Sequence, residues 1–169
     1  MDRLTTPEPV PVFAEPEAEL AEGPMLLGWL NTYRDALVRK CAGLDADRLR
    51  ARPVAPSNLS LLGLVRHLTE MERVHLVHAV PGTEVRFVYY SPADPEVDFE
   101  GAAGADPSES FDLWRAERAR ADEVLAPHVE AGTLPARVRF RMVKVIGEYA
   151  RHAGHADLIR ERLDGVTGE

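Results

Sequence analysis

Glu148, His152 and His155 stand at i, i+4 and i+7 within a run, Ala136 to Leu163, whose apolar residues otherwise recur at alternating steps of four and three. A helix turns about 100° per residue, so side chains at those positions leave the axis within roughly 60° of one another. Two imidazoles and a carboxylate on one face have the spacing of metal ligands. The stripe Val138, Met142, Val145, Tyr149, His152, Ala156, Ile159 and Leu163 is the seam that a helix buries against a bundle, which puts His152 where a core residue belongs. A buried imidazole needs partners for both ring nitrogens, and a cation on one side with a carboxylate or carbonyl on the other supplies them.

Spacing also sorts the remaining histidines. His67 shares a helical stripe with Leu64 and Met71 and is expected to point inward. His75 and His78 lie about 12 Å and 16 Å further along the same axis, too far to share an ion whose bonds to nitrogen are about 2.0–2.1 Å. His128, beside Pro127, reads as a solvated or helix-capping residue. His67, His152 and His155 are therefore the expected ligands, and three protein ligands leave a position open, the pattern of a catalytic site. Glu148 is expected as the proton-accepting group or as a ligand itself. The bland reading stands beside this one: inward histidines as hydrogen-bonded core residues, and Glu148 as a solvated carboxylate paired with His152 or Arg151. Arg66 and Arg151 read as solvated flanks or as an attraction for an acidic ligand, and Asp157, Glu161 and Arg160 as surface pairs.

These residues need helices to place them. A first helix is expected from Pro24 to Ala42, where Leu26, Leu30, Tyr33, Leu37 and Cys41 recur at helical spacing and Gly43 supplies a stop. After a connection from Leu44 to Pro56, in which Asp45 caps a short turn, the second helix runs from Ser60 to Ala79. The segment Pro81 to Asp106 has one β-rich stretch, Glu84 to Tyr90, without a partner strand, and reads as a crossover. Asp106 as N-cap, Pro107 and Glu109 open a third helix that ends near Pro127. The fourth begins at Ala136 and stops at Asp164–Gly165. The expected fold is all-α, a four-helix bundle with a long crossover between helices 2 and 3. Residues 1–18, rich in proline, form an extended arm, and residues 19–169 form the bundle.

Composition narrows the function. The chain has 169 residues, 45 % of them hydrophobic, enough for one core. A net charge of −8 speaks against a nucleic-acid surface. Cys41 is the one cysteine, the N-terminus has no apolar run of signal-peptide length, and no stretch is long and apolar enough for a membrane span, so a soluble cytoplasmic protein is expected. Its basic residues are almost all arginine and alanine is abundant, a bias suited to a GC-rich bacterial genome.

Two strings carry a resemblance. Pro56-Ser57-Asn58-Leu59-Ser60-Leu61-Leu62-Gly63-Leu64-Val65-Arg66-His67-Leu68 and Glu148-Tyr149-Ala150-Arg151-His152-Ala153-Gly154-His155-Ala156-Asp157-Leu158-Ile159-Arg160 resemble the mini-circle-type branch of the DinB-like superfamily. That resemblance implies a four-helix bundle, often dimeric, with zinc, nickel or iron held by a histidine on helix 2, matching His67, and two ligands on helix 4, the central one matching His152. The third ligand is His155 or Glu148, with His155 preferred. The Glu148 alternative is similar to the Glu-x-x-x-His pair of mycothiol-dependent maleylpyruvate isomerases. Lys144 and Gly147 depart from the branch's usual His and Glu, and Val74-His75 from its usual aromatic residues. The implied function is that of a metal-dependent thiol transferase or hydrolase using mycothiol on a small electrophile. The competing expectation is a non-catalytic, stress-linked homodimeric binding bundle with structural histidines.

Overall fold

The computed structural model describes residues 12–79, 86–94, 97–132 and 134–167. Among these the chain is all-α. It forms α1 (Glu22–Cys41), α2 (Ala46–Arg50), α3 (Leu61–Met71), α4 (Val97–Glu100), α5 (Pro107–Glu130) and α6 (Ala136–Asp164). The long helices pack as a bundle, α1 along α6, α3 along α5, and α3 also against α6. No helix among the described residues is long and apolar enough to cross a membrane.

Local signals in the chain set most of the ends. The Ser60 hydroxyl accepts from the Gly63 amide at 3.0 Å and starts α3; Asp45 and Asp106 cap α2 and α5 in the same way. Gly165, at φ 77°, closes α6 in the left-handed conformation that a side chain disfavours. The buried seam of α6 is the expected one: Val138, Met142, Val145, Tyr149, His152, Ala156 and Ile159 are all buried. They meet Leu30, Leu37, Leu64, Leu68, Phe111 and Trp114 in one core.

Three elements differ from expectation. The second helix stays helical to Ala79 but changes type, with a π turn over Glu72–Leu76 and a 3₁₀ turn over Val77–Ala79 after α3. The change falls where Glu72 turns into the core. Arg34 of α1 grips it with Nε at 2.7 Å and Nη2 at 2.6 Å, and the Tyr149 hydroxyl donates to it at 2.8 Å. Burial works against the Arg34 charge, but Glu72 more than offsets this and holds the guanidinium above its ordinary value. The third helix runs through Pro127 to Glu130, because a proline near a helix end removes one amide bond while the Ala131 amide still reaches the Pro127 carbonyl at 3.2 Å. The described part of the crossover holds no strand; it is irregular from residue 86 to 94, then folds into α4 and a 3₁₀ turn over Gly101–Gly104.

Of the N-terminal arm, residues 12–17 have no regular secondary structure, and Ala14 and Pro16 lie against α1. The Thr32 hydroxyl donates to the Ala14 carbonyl at 2.6 Å, and Pro16 sits so close to Gly28 that an added Cβ there would stand 2.6 Å from the proline ring. Residues 1–11, and residues 80–85 of the expected strand, lie outside the described residues.

Candidate metal centre

His67 leaves α3 toward α6, where Glu148 and His152 lie one turn apart. One ligand atom from each of the three lies within 4.8 Å of the other two. Ligand atoms sharing an ion at about 2.0–2.1 Å stand roughly 3–4 Å apart, so a modest side-chain adjustment closes the group on a cation.

The His67 ring is fixed from both sides. Its Nδ1–H meets Asp98 Oδ2 of α4 at 2.8 Å, and Phe99 stacks on it with centroids 4.9 Å apart. Gly63 permits that approach, since a Cβ there would lie 3.3 Å from the Phe99 ring. With the proton on Nδ1, the lone pair is on Nε2, and Nε2 is buried without a hydrogen-bond partner. A carboxylate behind a histidine whose far nitrogen is bare is the usual arrangement around a metal-ligating imidazole.

The α6 side is complementary. Burial, and then the nearby His67 and His155, push the His152 imidazole down to about 4, so the ring is neutral at pH 7. Its Nε2 faces Glu148 Oε2 at 3.8 Å. Burial alone would raise the Glu148 carboxyl, but Lys144 at 3.2 Å and Arg151 at 3.4 Å more than offset that and hold it below its ordinary value. A neutral His152 imidazole and an ionised Glu148 carboxylate are the protonation states a divalent cation requires of such ligands. The donor set fits such an ion.

His155 is not in this group. It stands behind His152, Nδ1 to Nδ1 at 3.2 Å, and borders a separate hollow with Val54, Leu59 and Leu158. His78 and His128 are also outside the group, and Cys41, whose thiol burial pushes up to about 12, offers no nucleophile. Arg66 is tied to the crossover, its Nε donating to the Asp98 carbonyl at 3.1 Å and its guanidinium lying over the Tyr89 ring; Arg151 is exposed beside Glu148.

A cavity of about 430 Å³ opens beside His67. Met71, Val74, Phe87, Phe99 and the Tyr90 ring make it largely apolar, and Glu70, His75, Asp98 and the Tyr90 hydroxyl belong to its other polar residues. Met71, on the stripe it shares with His67, is thus part of its wall. Burial, Lys144 and Arg141 push the His75 ring down to about 4. Neither Asp98 nor Glu70 stood out in the sequence. Asp98 lies in a crossover without periodicity, and Glu70 shares a helix with residues of every polarity; only the Asp-Phe pair in an otherwise small-residue stretch hints at an anchored contact.

A family model described as mycothiol-S-transferase matches residues 25–165 of the chain. No curated protein and no solved structure matches it.

Proposed function

We propose that this chain, which belongs to the mycothiol-S-transferase family, transfers the thiol of mycothiol to a small electrophile in the cavity beside His67, with His67, Glu148 and His152 holding a divalent cation. One observation carries the reading: His67, whose Nε2 is buried and unpartnered, offers a ligand atom within 4.8 Å of ligand atoms of Glu148 and His152. A purely structural histidine would have both nitrogens satisfied. When bound, a cation with an open position lowers the pKa of a thiol or water there.

The chain's own residues do the rest. Asp98 holds the proton on His67 Nδ1 and Phe99 fixes the ring plane, so Nε2 is presented without reorganisation. His155 meets the Nδ1 edge of His152, which leaves Nε2 free toward Glu148. Glu148 adds the negative charge that two imidazoles lack. We place it, rather than His155, as the third ligand. The apolar walls Phe87, Tyr90 and Phe99 strip water from the electrophile and strengthen the polar contacts made inside. Zinc, nickel and iron all suit two nitrogens and a carboxylate.

The finer fold reading belongs here too. Four long helices, α1, α3, α5 and α6, with the crossover between α3 and α5, support a DinB-type bundle. A second copy is the expected partner: α6 leaves Phe140, Val143 and Leu158 exposed along one side, and sedimentation reads the mass.

The test is mycothiol consumption with a reactive small electrophile such as a chlorinated nitroarene, using protein stripped of metal and then reloaded. Metal-dependent conjugation above the uncatalysed rate, lost in Glu148→Gln, is expected. Conjugation no faster than in buffer, across a panel of electrophiles and all three metals, would overturn the proposal.

A further inference from the structure

With Glu148 among the ligands, a different group must take the thiol proton. Besides His67, Asp98 and the Tyr90 phenol, which carries its own proton, the cavity offers two polar side chains. One is His75, and its tautomer rules it out. An arginine donates and never accepts, so the His75 Nδ1 that meets Arg141 carries the lone pair and the ring proton sits on Nε2. His75 is a donor.

Glu70 is the opposite case. It is 1 % exposed and lines the cavity one turn beyond His67 on the same helix. Its Oε1 accepts three consecutive backbone amides of the crossover, Val88 at 2.6 Å, Tyr89, and Tyr90 at 3.2 Å. Those bonds lock one rotamer. Its Oε2 is buried and has no hydrogen-bond partner. An acceptor buried without a donor costs stability, and such groups call for a specific explanation. Here the free oxygen belongs to a side chain already immobilised in the wall of a ligand-sized cavity.

We propose that Glu70 Oε2 accepts the proton of the thiol that enters this cavity. The inference rests on the transferase reading. The S–H bond breaks, its electron pair stays on sulfur, and the proton bonds to Oε2, leaving a neutral carboxylic acid. The sulfur pair then forms the S–C bond, the pair of the bond broken in the electrophile leaves with the departing atom, and the same proton passes from Oε2 to that atom. No other reactant is consumed. His75, which lines the same cavity and carries its ring proton on Nε2, is the donor available to the departing atom as negative charge grows on it.

The experiment counts protons. Mycothiol is added to zinc-loaded protein in weak buffer with a pH indicator and no electrophile, comparing wild type with Glu70→Gln. Glutamine keeps an oxygen for the three amides and loses the basic one, so the wall survives while the proton acceptor goes. The variant should release one more proton per bound thiol than wild type. Equal release from the two proteins overturns the assignment and leaves thiol binding standing; failure of wild type to bind mycothiol overturns the transferase reading and this inference with it. Should Glu70→Gln not fold, the infrared difference spectrum of wild type decides: a protonated-carboxyl band appearing on thiol addition supports the assignment, and its absence overturns it.

Discussion

Asp98 is the residue that sets how His67 is presented, because its carboxylate meets the ring Nδ1 and leaves Nε2 unpartnered. Replacing it with alanine should weaken metal binding about 10- to 100-fold, the usual effect of removing the group behind a ligating histidine. Competition with a chromogenic chelator measures this. An unchanged affinity would mean that Phe99 stacking alone orients the ring. The histidines and Glu148 stand out in the sequence as candidates because helical spacing is a local property. His67 and His152 follow from their stripes, whereas the preference for His155 as third ligand differs from the group in which Glu148 stands with them, both residues lying on the same helix face. Which of them stands beside His67 depends on how α3 packs against α6, and periodicity within one helix carries no such information. Asp98 and Glu70 were illegible for a related reason. Each acts on a group far away in the chain, through contacts that exist only once the crossover has folded back on α3.

At the level of elements, the widened turn after α3 and its anchor are the features most exposed to mutation. Arg34→Met would leave the Glu72 carboxylate buried beside the Tyr149 hydroxyl with no cation, at a cost of about 3–5 kcal/mol. Urea denaturation reads that loss, and a loss below about 1 kcal/mol, typical of an exposed pair, would show that Glu72 finds another partner. Ser60→Ala, which removes the cap of α3, should cost about 1 kcal/mol by the same measurement. Caps, proline positions and apolar stripes made α1, α3, α5 and α6 readable to within a turn, and α6 was read with the right seam throughout. The π turn was not readable. Its sequence, Glu72 to Leu76, has ordinary helix formers, and the pull that widens it comes from Arg34 and Tyr149 on two other helices. Pro127 misled for the converse reason: a stop signal was taken at face value where the helix could spare one amide bond near its end.

For the whole molecule, a cation held by His67, Glu148 and His152 would tie α3 to α6 and should therefore couple to folding. Binding to the folded state alone adds about 2.7 kcal/mol when free metal is at 100 times its Kd, so the thermal midpoint should rise on zinc addition, and should not rise in His152→Ala. Acid acts in the opposite sense. His75 is wedged against Arg141 and Lys144 of α6, with Glu148 of α6 and His67 of its own helix further off. Its folded value of about 4 lies below the ordinary 6.5. Between those two pH values the unfolded chain binds the extra proton, so stability is fully present above 6.5 and falls as pH drops toward 4. Replacing His75 with glutamine should flatten the decline of the thermal midpoint in that window; an unaltered slope would mean the ring is not held neutral by the fold. The central claim is that His67, Glu148 and His152 together hold a divalent cation. Elemental analysis of tag-free wild type, His152→Ala, Glu148→Gln and His155→Ala tests it most directly. Near-stoichiometric zinc, nickel or iron in wild type and His155→Ala, lost from the other two, is the predicted result, whereas no metal in wild type after incubation with these ions, or metal kept by Glu148→Gln and lost by His155→Ala, would contradict it.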